Sequence, residues 1–333
     1  MQVPFIHNQS AHCENGAISN LFNHNGIKIS EPMAFGIGSG LFFGYMPFIK
    51  VNGTPAVTYR ILPGQVFKRV NKRLGVSYNS ENFGNQQKAM DALDRQLDKG
   101  IPVGLITSVF YLPYLPEAYR FHFNAHNIVV YGKENNEYLV SDSVMENVTR
   151  IAPSDLLRAR FAKGAMAPKG KMYYTTATPQ NINWEAAAIK GIKDTAKQMT
   201  TIPVPLFGVN GIRMLSRQLK QWQAKLGDRK AALYLGNVIR MQEEIGTGGA
   251  GFRYIFAAFL QESSKLLNQP DLAALSSDFT TIGDTWRNFA ITASRICKAR
   301  AGSDESYSLL ADTLLQCAAK EELVFKQIKK LKL

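Results

Sequence analysis

From Ile182 onward, apolar residues recur every three or four positions with little interruption, and this half of the chain can bury them only as helices. Successive amphipathic segments are "WEAAAIKGIKDTAKQM", "GIRMLSRQLKQWQAKL", "DRKAALYLGNVIRMQEEI" and "FRYIFAAFLQESSKLL". A segment after Pro270 and a last helix from about Glu305 follow. "IPVPLFG" (Ile202–Gly208) breaks the pattern after the first of them. The chain before about Thr178 reads differently. "PVGLITSVFYL" (Pro102–Leu112) and "NIVVYG" (Asn127–Gly132) are β-like, and Asn135-Asn136 suits a tight hairpin turn into "EYLVSD". "NQQKAMDALDRQLDKG" has helical spacing and stops at Gly100. The expected class is α+β, with a boundary near residue 180: a mixed domain over 1–180 and an all-helical domain over 181–333.

With 333 residues, 45% hydrophobic and 20% charged, the chain can build a sizeable core and is not a disordered polymer. Three cysteines make no disulfide framework. The first residues lack a basic start followed by an apolar run, and the long uncharged stretch after Glu31 is broken by glycines and by Pro32. A cytoplasmic protein is expected. The net charge is +13, spread over both halves: 18 basic and 12 acidic residues precede Asn181, and 21 and 14 follow. Such a field either only aids solubility or favours an anionic partner: nucleic acid, a membrane surface, a phosphorylated ligand or an acidic carrier protein.

Cys13 is the residue whose chemistry needs explaining. Asn8, Ser10 and Asn15 flank a helix start, Ala17, Ile18, Leu21 and Phe22 follow at helical spacing, and Gly26 ends the helix. Cys13 then stands at the first turn, where free N–H groups and the dipole favour a thiolate by about 0.3–1 kcal/mol. That is less than one pKa unit, and a thiol near 8.5 stays mostly protonated at neutral pH. An imidazolium partner can bring the value to about 3–4, so a nucleophilic Cys13 requires a histidine beside it. His12 is adjacent on the helix and His24 lies at its far end. His126 opens the run "HNIVVYG", and the hairpin that follows returns Asp142 near the same end. A turn centred on Glu134–Asn135 sets residue 126 opposite about 143, and one centred on Asn135–Asn136 opposite 145. Nucleophile, base and orienting acid thus form one set. The plainer alternative is a buried thiol filling the core.

The segment "HCENGAISNLFNHNGIKISEPMAFGIGSGLFFGY" closely resembles the opening motif of the butirosin biosynthesis protein H family. Its elements are His12-Cys13, Ser30-Glu31 and the run Phe35–Gly40. "IGTGGAGFRYIFAAFLQES" with "TWRNFA" is similar to the helical domain that accompanies it. The resemblance implies a papain-like N-terminal domain and an acyltransferase that passes an acyl group from an acyl carrier protein thioester to an amine. Cys13 would be the nucleophile, His126 the base and Asp142 the orienting acid. No bound cofactor is implied beyond the partner's phosphopantetheine. Secondary-metabolite or lipid biosynthesis is the expected setting. A papain-like cysteine hydrolase (peptidase or amidase) and a non-catalytic binding module are the alternatives.

The oxyanion would need the Cys13 N–H and a second donor. His7 and Gln9 are the upstream candidates, in the region where papain-like enzymes carry a glutamine. Glu31 either caps a turn or contacts a polar substrate. The glycines of "FGIGSG", Gly38 and Gly40 among them, match neither a dinucleotide fingerprint nor a phosphate loop. They either admit an acyl-bearing arm or form a tight loop. "GTGGAGFR" is a candidate anion site with Arg253 adding charge and a helix beginning near Gly251. The basic "KQIKKLKL" end is expected to be a solvated face, with carrier or membrane contact less favoured. Nothing suggests a metal, and Cys297 and Cys317 look like core thiols.

Overall fold

The computed structural model describes residues 3–333. In chain order the elements are α1 (Cys13–His24), α2 (Glu31–Ile37), β1 (Leu41–Val51), β2 (Thr54–Arg60), α3 (Gln65–Leu74), β3 (Ser77–Glu81) and α4 (Gln86–Asp98). Next come β4 (Val103–Thr107), β5 (His126–Glu134), β6 (Glu137–Ser141), β7 (Thr149–Ile151), α5 (Pro153–Arg160) and β8 (Met172–Ala177). The remainder is helical: α6 (Trp184–Thr200), α7 (Gly208–Leu226), α8 (Asp228–Glu243), α9 (Arg253–Leu267), α10 (Pro270–Cys297) and α11 (Tyr307–Lys330). The class is α+β, with the sheet in the first half and helices in the second. Among the described residues no helix is long and apolar enough to cross a membrane.

The chain divides into two compact units that are not successive segments. One comprises the residues up to Ala34 together with Phe67–Ile182, and the other Phe35–Val66 together with Asn183–Leu333. A single cut near residue 180 therefore misassigns residues 35–66, which pack with the C-terminal helices. The reason is close backbone approach: a Cβ on Gly191 of α6 would lie 2.4 Å from the carbonyl oxygen of Gly36, and one on Gly36 would overlap the Phe259 ring. The glycine-rich run is thus a packing device. Gly38 and Gly40 are buried, and a Cβ on Gly40 would fall 2.3 Å from the Phe35 ring. Of the two sequence expectations for this run, the tight loop is the one that this packing fits.

In the first unit the sheet has the order β3-β8-β4-β5-β6-β7 with antiparallel neighbours. Ala17 and Leu21 of α1 pack on Val129 and Tyr173 on one face. Leu93 and Leu97 of α4 and Leu156 of α5 join Leu105, Ile128 and Val130 in the larger cluster on the other side. Asn135 and Asn136 adopt φ of 51° and 63°, the left-handed pair that a two-residue hairpin turn requires. Pairing next to the turn is Glu134↔Glu137, and a register shift between Val130 and Gly132 changes the sum of partner numbers by one. The expected strand over 102–112 ends at Thr107. The N–H groups of Ser108 and Val109 turn away to the carbonyls of Ala159 and Phe123, and a short 3-10 turn follows at Val109–Tyr111.

In the second unit β1 and β2 form a separate antiparallel hairpin. Phe43 and Tyr59 from this hairpin join Trp286 in one aromatic cluster, and Phe256, Phe279 and Phe325 stack in another. Backbone torsions turn left-handed at Gly249, Ala250, Gly251 and Phe252, so α9 begins at Arg253, two residues later than expected.

Candidate active site

Cys13 is the first residue of α1. His12 caps the helix, its Nδ1 accepting from the N–H of Asn15 at 3.4 Å. Nδ1 is therefore an acceptor and His12 is no base for Cys13, as its neighbouring position on the helix implies. The approach to the helix is held by Glu31. Its Oε2 accepts from the N–H of Ala11 at 2.9 Å and its Oε1 from the N–H of His12 at 2.8 Å. Burial raises the Glu31 pKa above the ordinary carboxylate value, and these two bonds offset only part of the rise. Both carboxylate oxygens bind backbone N–H groups, so Glu31 clamps the turn that presents Cys13. Glu31→Ala removes two charge-assisted bonds and is expected to cost about 1–3 kcal/mol. Thermal denaturation measures that cost. Cys13 alkylation should slow in the same variant, whereas a purely remote role would leave it unchanged.

His126 is the first residue of β5, 5% exposed, and Asp142 follows β6 with no exposure at all. Their contact is Nε2 to Oδ2 at 2.7 Å. Asp142 also accepts from Tyr114 Oη at 3.0 Å and from the N–H of Val144 at 3.3 Å. Cys13 hydrogen-bonds to the same imidazole. Since Nε2 is taken by Asp142, the nitrogen that faces the sulfur is Nδ1. Burial opposes a charged ring, but the Asp142 carboxylate and Cys13 outweigh it and hold the His126 pKa well above the ordinary histidine range. A thiolate–imidazolium pair is the state this favours. The three residues proposed from the sequence are together.

The remaining expected site residues are elsewhere or occupied. His7 has Nδ1 on Ser141 Oγ at 2.8 Å and Nε2 on the Met145 carbonyl at 3.0 Å. With both ring nitrogens engaged, it ties the segment before α1 to Ser141 and Met145, and neither nitrogen is left to face an oxyanion. Gln9 is exposed, four residues before Cys13. Arg253 is fully buried and paired with Glu321 through two bonds, so "GTGGAGFR" offers no free cation to an anion. Cys317 is buried in the helical unit, which pushes its thiol far up, and burial also raises Cys297. A cleft of about 960 Å³ in the helical unit is lined by Arg229, Lys230, Arg240 and Cys297 among others, and holds none of the triad.

Two contacts were not foreseen. Tyr114 gives no signal in sequence, because nothing in "YLPYLPEAYR" distinguishes it from its aromatic neighbours. Asn127 does give one: it is a polar residue between His126 and the apolar run Ile128–Tyr131.

Residues 12–143 match the family model described as Butirosin biosynthesis protein H, N-terminal, and residues 154–328 match Domain of unknown function (DUF4872). No curated protein matches the chain. Among solved structures, a C39-like peptidase from Bacillus anthracis is similar at 16% identity and a TM-score of 0.37, covering 53% of this chain and 96% of that one.

Proposed function

Because the chain belongs to the family of Domain of unknown function (DUF4872) and its residues 12–143 match the Butirosin biosynthesis protein H N-terminal model, we propose that it is a cysteine-dependent acyltransferase. The reading has Cys13 take an acyl group from an acyl carrier protein thioester and deliver it to a small-molecule amine. One observation carries it: a thiol at a helix N-terminus, hydrogen-bonded to a buried histidine whose other nitrogen is held by a buried carboxylate. The +13 charge suits an acidic carrier, and a cytoplasmic setting suits reduced thiols.

The chemistry proceeds in two steps. Cys13 passes its proton to His126 Nδ1 and the thiolate attacks the thioester carbon. The carrier's phosphopantetheine sulfur leaves and takes the proton back from His126. One thioester replaces another, so the exchange is close to isoenergetic. The amine then attacks the acyl-enzyme, His126 accepts its proton, and the Cys13 sulfur departs as a thiolate, giving an amide and ping-pong kinetics. Asp142 fixes the tautomer and supports the imidazolium through both steps. The N–H of Cys13 and the exposed Gln9 amide are the proposed oxyanion donors.

Intact-mass measurement after mixing the protein with acylated carriers, followed by a panel of amines, tests this reading. A mass gain equal to the acyl group on Cys13 and its conversion to amide are expected. Free acid in place of amide identifies a hydrolase instead, and no adduct with any carrier refutes covalent catalysis.

A further inference from the structure

The nucleophile has a polar neighbour that the Cys13–His126–Asp142 chain does not use. Asn127 lies on β5 with its side chain on the face that α1 covers, two residues before Val129. It is 4% exposed. Its Nδ2 lies 3.3 Å from the carbonyl oxygen of Ala125 and 4.0 Å from Cys13 Sγ, while its Oδ1 accepts from Tyr173 Oη at 2.8 Å. These partners fix the amide orientation. A carbonyl oxygen only accepts, so nitrogen must face Ala125, and the oxygen is left for the tyrosine hydroxyl. One N–H is then spent on Ala125 and the other is available to the sulfur.

We propose that Asn127 is a hydrogen-bond donor to the Cys13 sulfur that binds thiolate in preference to thiol, and that Tyr173 is its positioning residue. The inference rests on Cys13 being the nucleophile proposed above. At 4.0 Å an amide gains little from a neutral thiol. Once the proton has moved to His126 the acceptor is charged, and charge-assisted bonds are shorter and about twice as strong. An acylated sulfur is again a weak acceptor. The donor therefore favours the two moments when sulfur carries charge, attack on the donor thioester and departure from the acyl-enzyme.

The surrounding charges show why a second donor matters. His126 on β5 is the cation facing the sulfur, with Asp142 behind it. Glu14, the next residue of α1, is buried, and its carboxylate accepts from the N–H of Phe67 on α3 at 3.2 Å. An anion there opposes a neighbouring thiolate. Lys171, just before β8, interacts with Glu14 and with Lys68 of α3, and Tyr173 of β8 feels both Glu14 and Cys13. His12 caps α1 as a neutral acceptor, and Glu31 of α2 binds the turn before it. β4 brings no ionisable side chain. A donor amide from β5 partly offsets the repulsion without adding a charge.

The test is the pH profile of Cys13 alkylation by iodoacetamide, followed by peptide mass mapping, in Asn127→Leu and Tyr173→Phe. Asn127→Leu keeps the shape and removes the donor. Its acidic limb should move up by about one pH unit, with a rate near pH 6 roughly tenfold lower. Tyr173→Phe should shift the limb the same way by a smaller amount, since the amide remains but loses its anchor. A folded Asn127→Leu protein with the wild-type profile overturns the proposal. If that variant does not fold, Tyr173→Phe decides alone, an upward shift supporting it and an unmoved limb refuting it. Wild-type Cys13 reacting no faster than a small free thiol at neutral pH would sink the nucleophile assignment itself, a result distinct from either.

Discussion

Cys13→Ala is expected to lower acyl transfer by about 10⁴–10⁶-fold while leaving the protein folded. The large loss follows from chemistry that nothing else in the chain can supply. Cys297 and Cys317 are protonated thiols in the helical unit, raised by burial, and neither has an imidazole partner in the way Cys13 does. The small structural effect follows from size: alanine replaces one sulfur at the start of α1, whose packing rests on Ala17 and Leu21. His126→Ala should fall almost as far, and the double variant no further, because residues that act as a unit do not add. Single-turnover rates with one acyl-carrier, and circular dichroism on the same samples, check both halves of the expectation.

The same pair sets the pH dependence. Against the cost of burial, Asp142 and Cys13 hold the proton on His126, so the ring stays charged above the usual histidine range. Alkylation of Cys13 should therefore plateau between the two apparent pKa values of the coupled pair. Asp142→Asn removes one of the two charges that raise the upper value, and the alkaline limb should move to lower pH. The sign for stability is fixed as well. A raised folded pKa contributes stability that is fully present below the unfolded histidine value and disappears as pH rises through the folded one. A limb that stays in place in Asp142→Asn would mean that the carboxylate does not govern the ring.

The proximity of Cys13, His126 and Asp142 is legible because each stands at a position with a local signature: a helix start, a strand start, and a strand end tied to that start by an asparagine turn. The turn centres on Asn135–Asn136, one of the two registers the sequence allows, and the shift between Val130 and Gly132 then moves the pairing by one residue toward the far end of the hairpin. What a local pattern leaves open is the partner of a charged or titratable side chain. Glu31, with a turn or a substrate as alternatives, binds the turn 20 positions back, while His7 and Arg253 are engaged by groups 134 and 68 positions away in sequence. No local pattern predicts such pairings. The same holds for the segment 35–66. Its glycines leave a tight loop and an opening for substrate as alternatives, and the smallness of Gly36 serves Gly191 and Phe259, which lie more than 150 residues further along the chain.

Arg253 is where the largest stability loss is expected. Its guanidinium is fully buried, bonded to both oxygens of Glu321 at 2.9 and 3.1 Å and to the Gly251 carbonyl at 2.8 Å. It lies over the rings of Trp286 and Tyr59, at 4.8 and 5.6 Å from their centroids. Trp286 Nε1 donates to the same Glu321 oxygen at 2.7 Å. Arg253→Met leaves a buried carboxylate with the indole as its remaining donor of this group, and Glu321→Leu leaves a buried cation. Either change should cost about 3–5 kcal/mol, because an uncompensated buried charge is far more expensive than a missing pair. The combined Arg253→Met and Glu321→Leu variant should be much less unstable than the two losses added, since the desolvation penalty disappears with both charges. Denaturant unfolding followed by tryptophan fluorescence reports the three variants, as Trp286 sits in the cluster itself. If Arg253→Met lost less than about 1 kcal/mol, the pair would have to be solvated, and Arg253 would regain its candidacy as a cation for an anionic ligand.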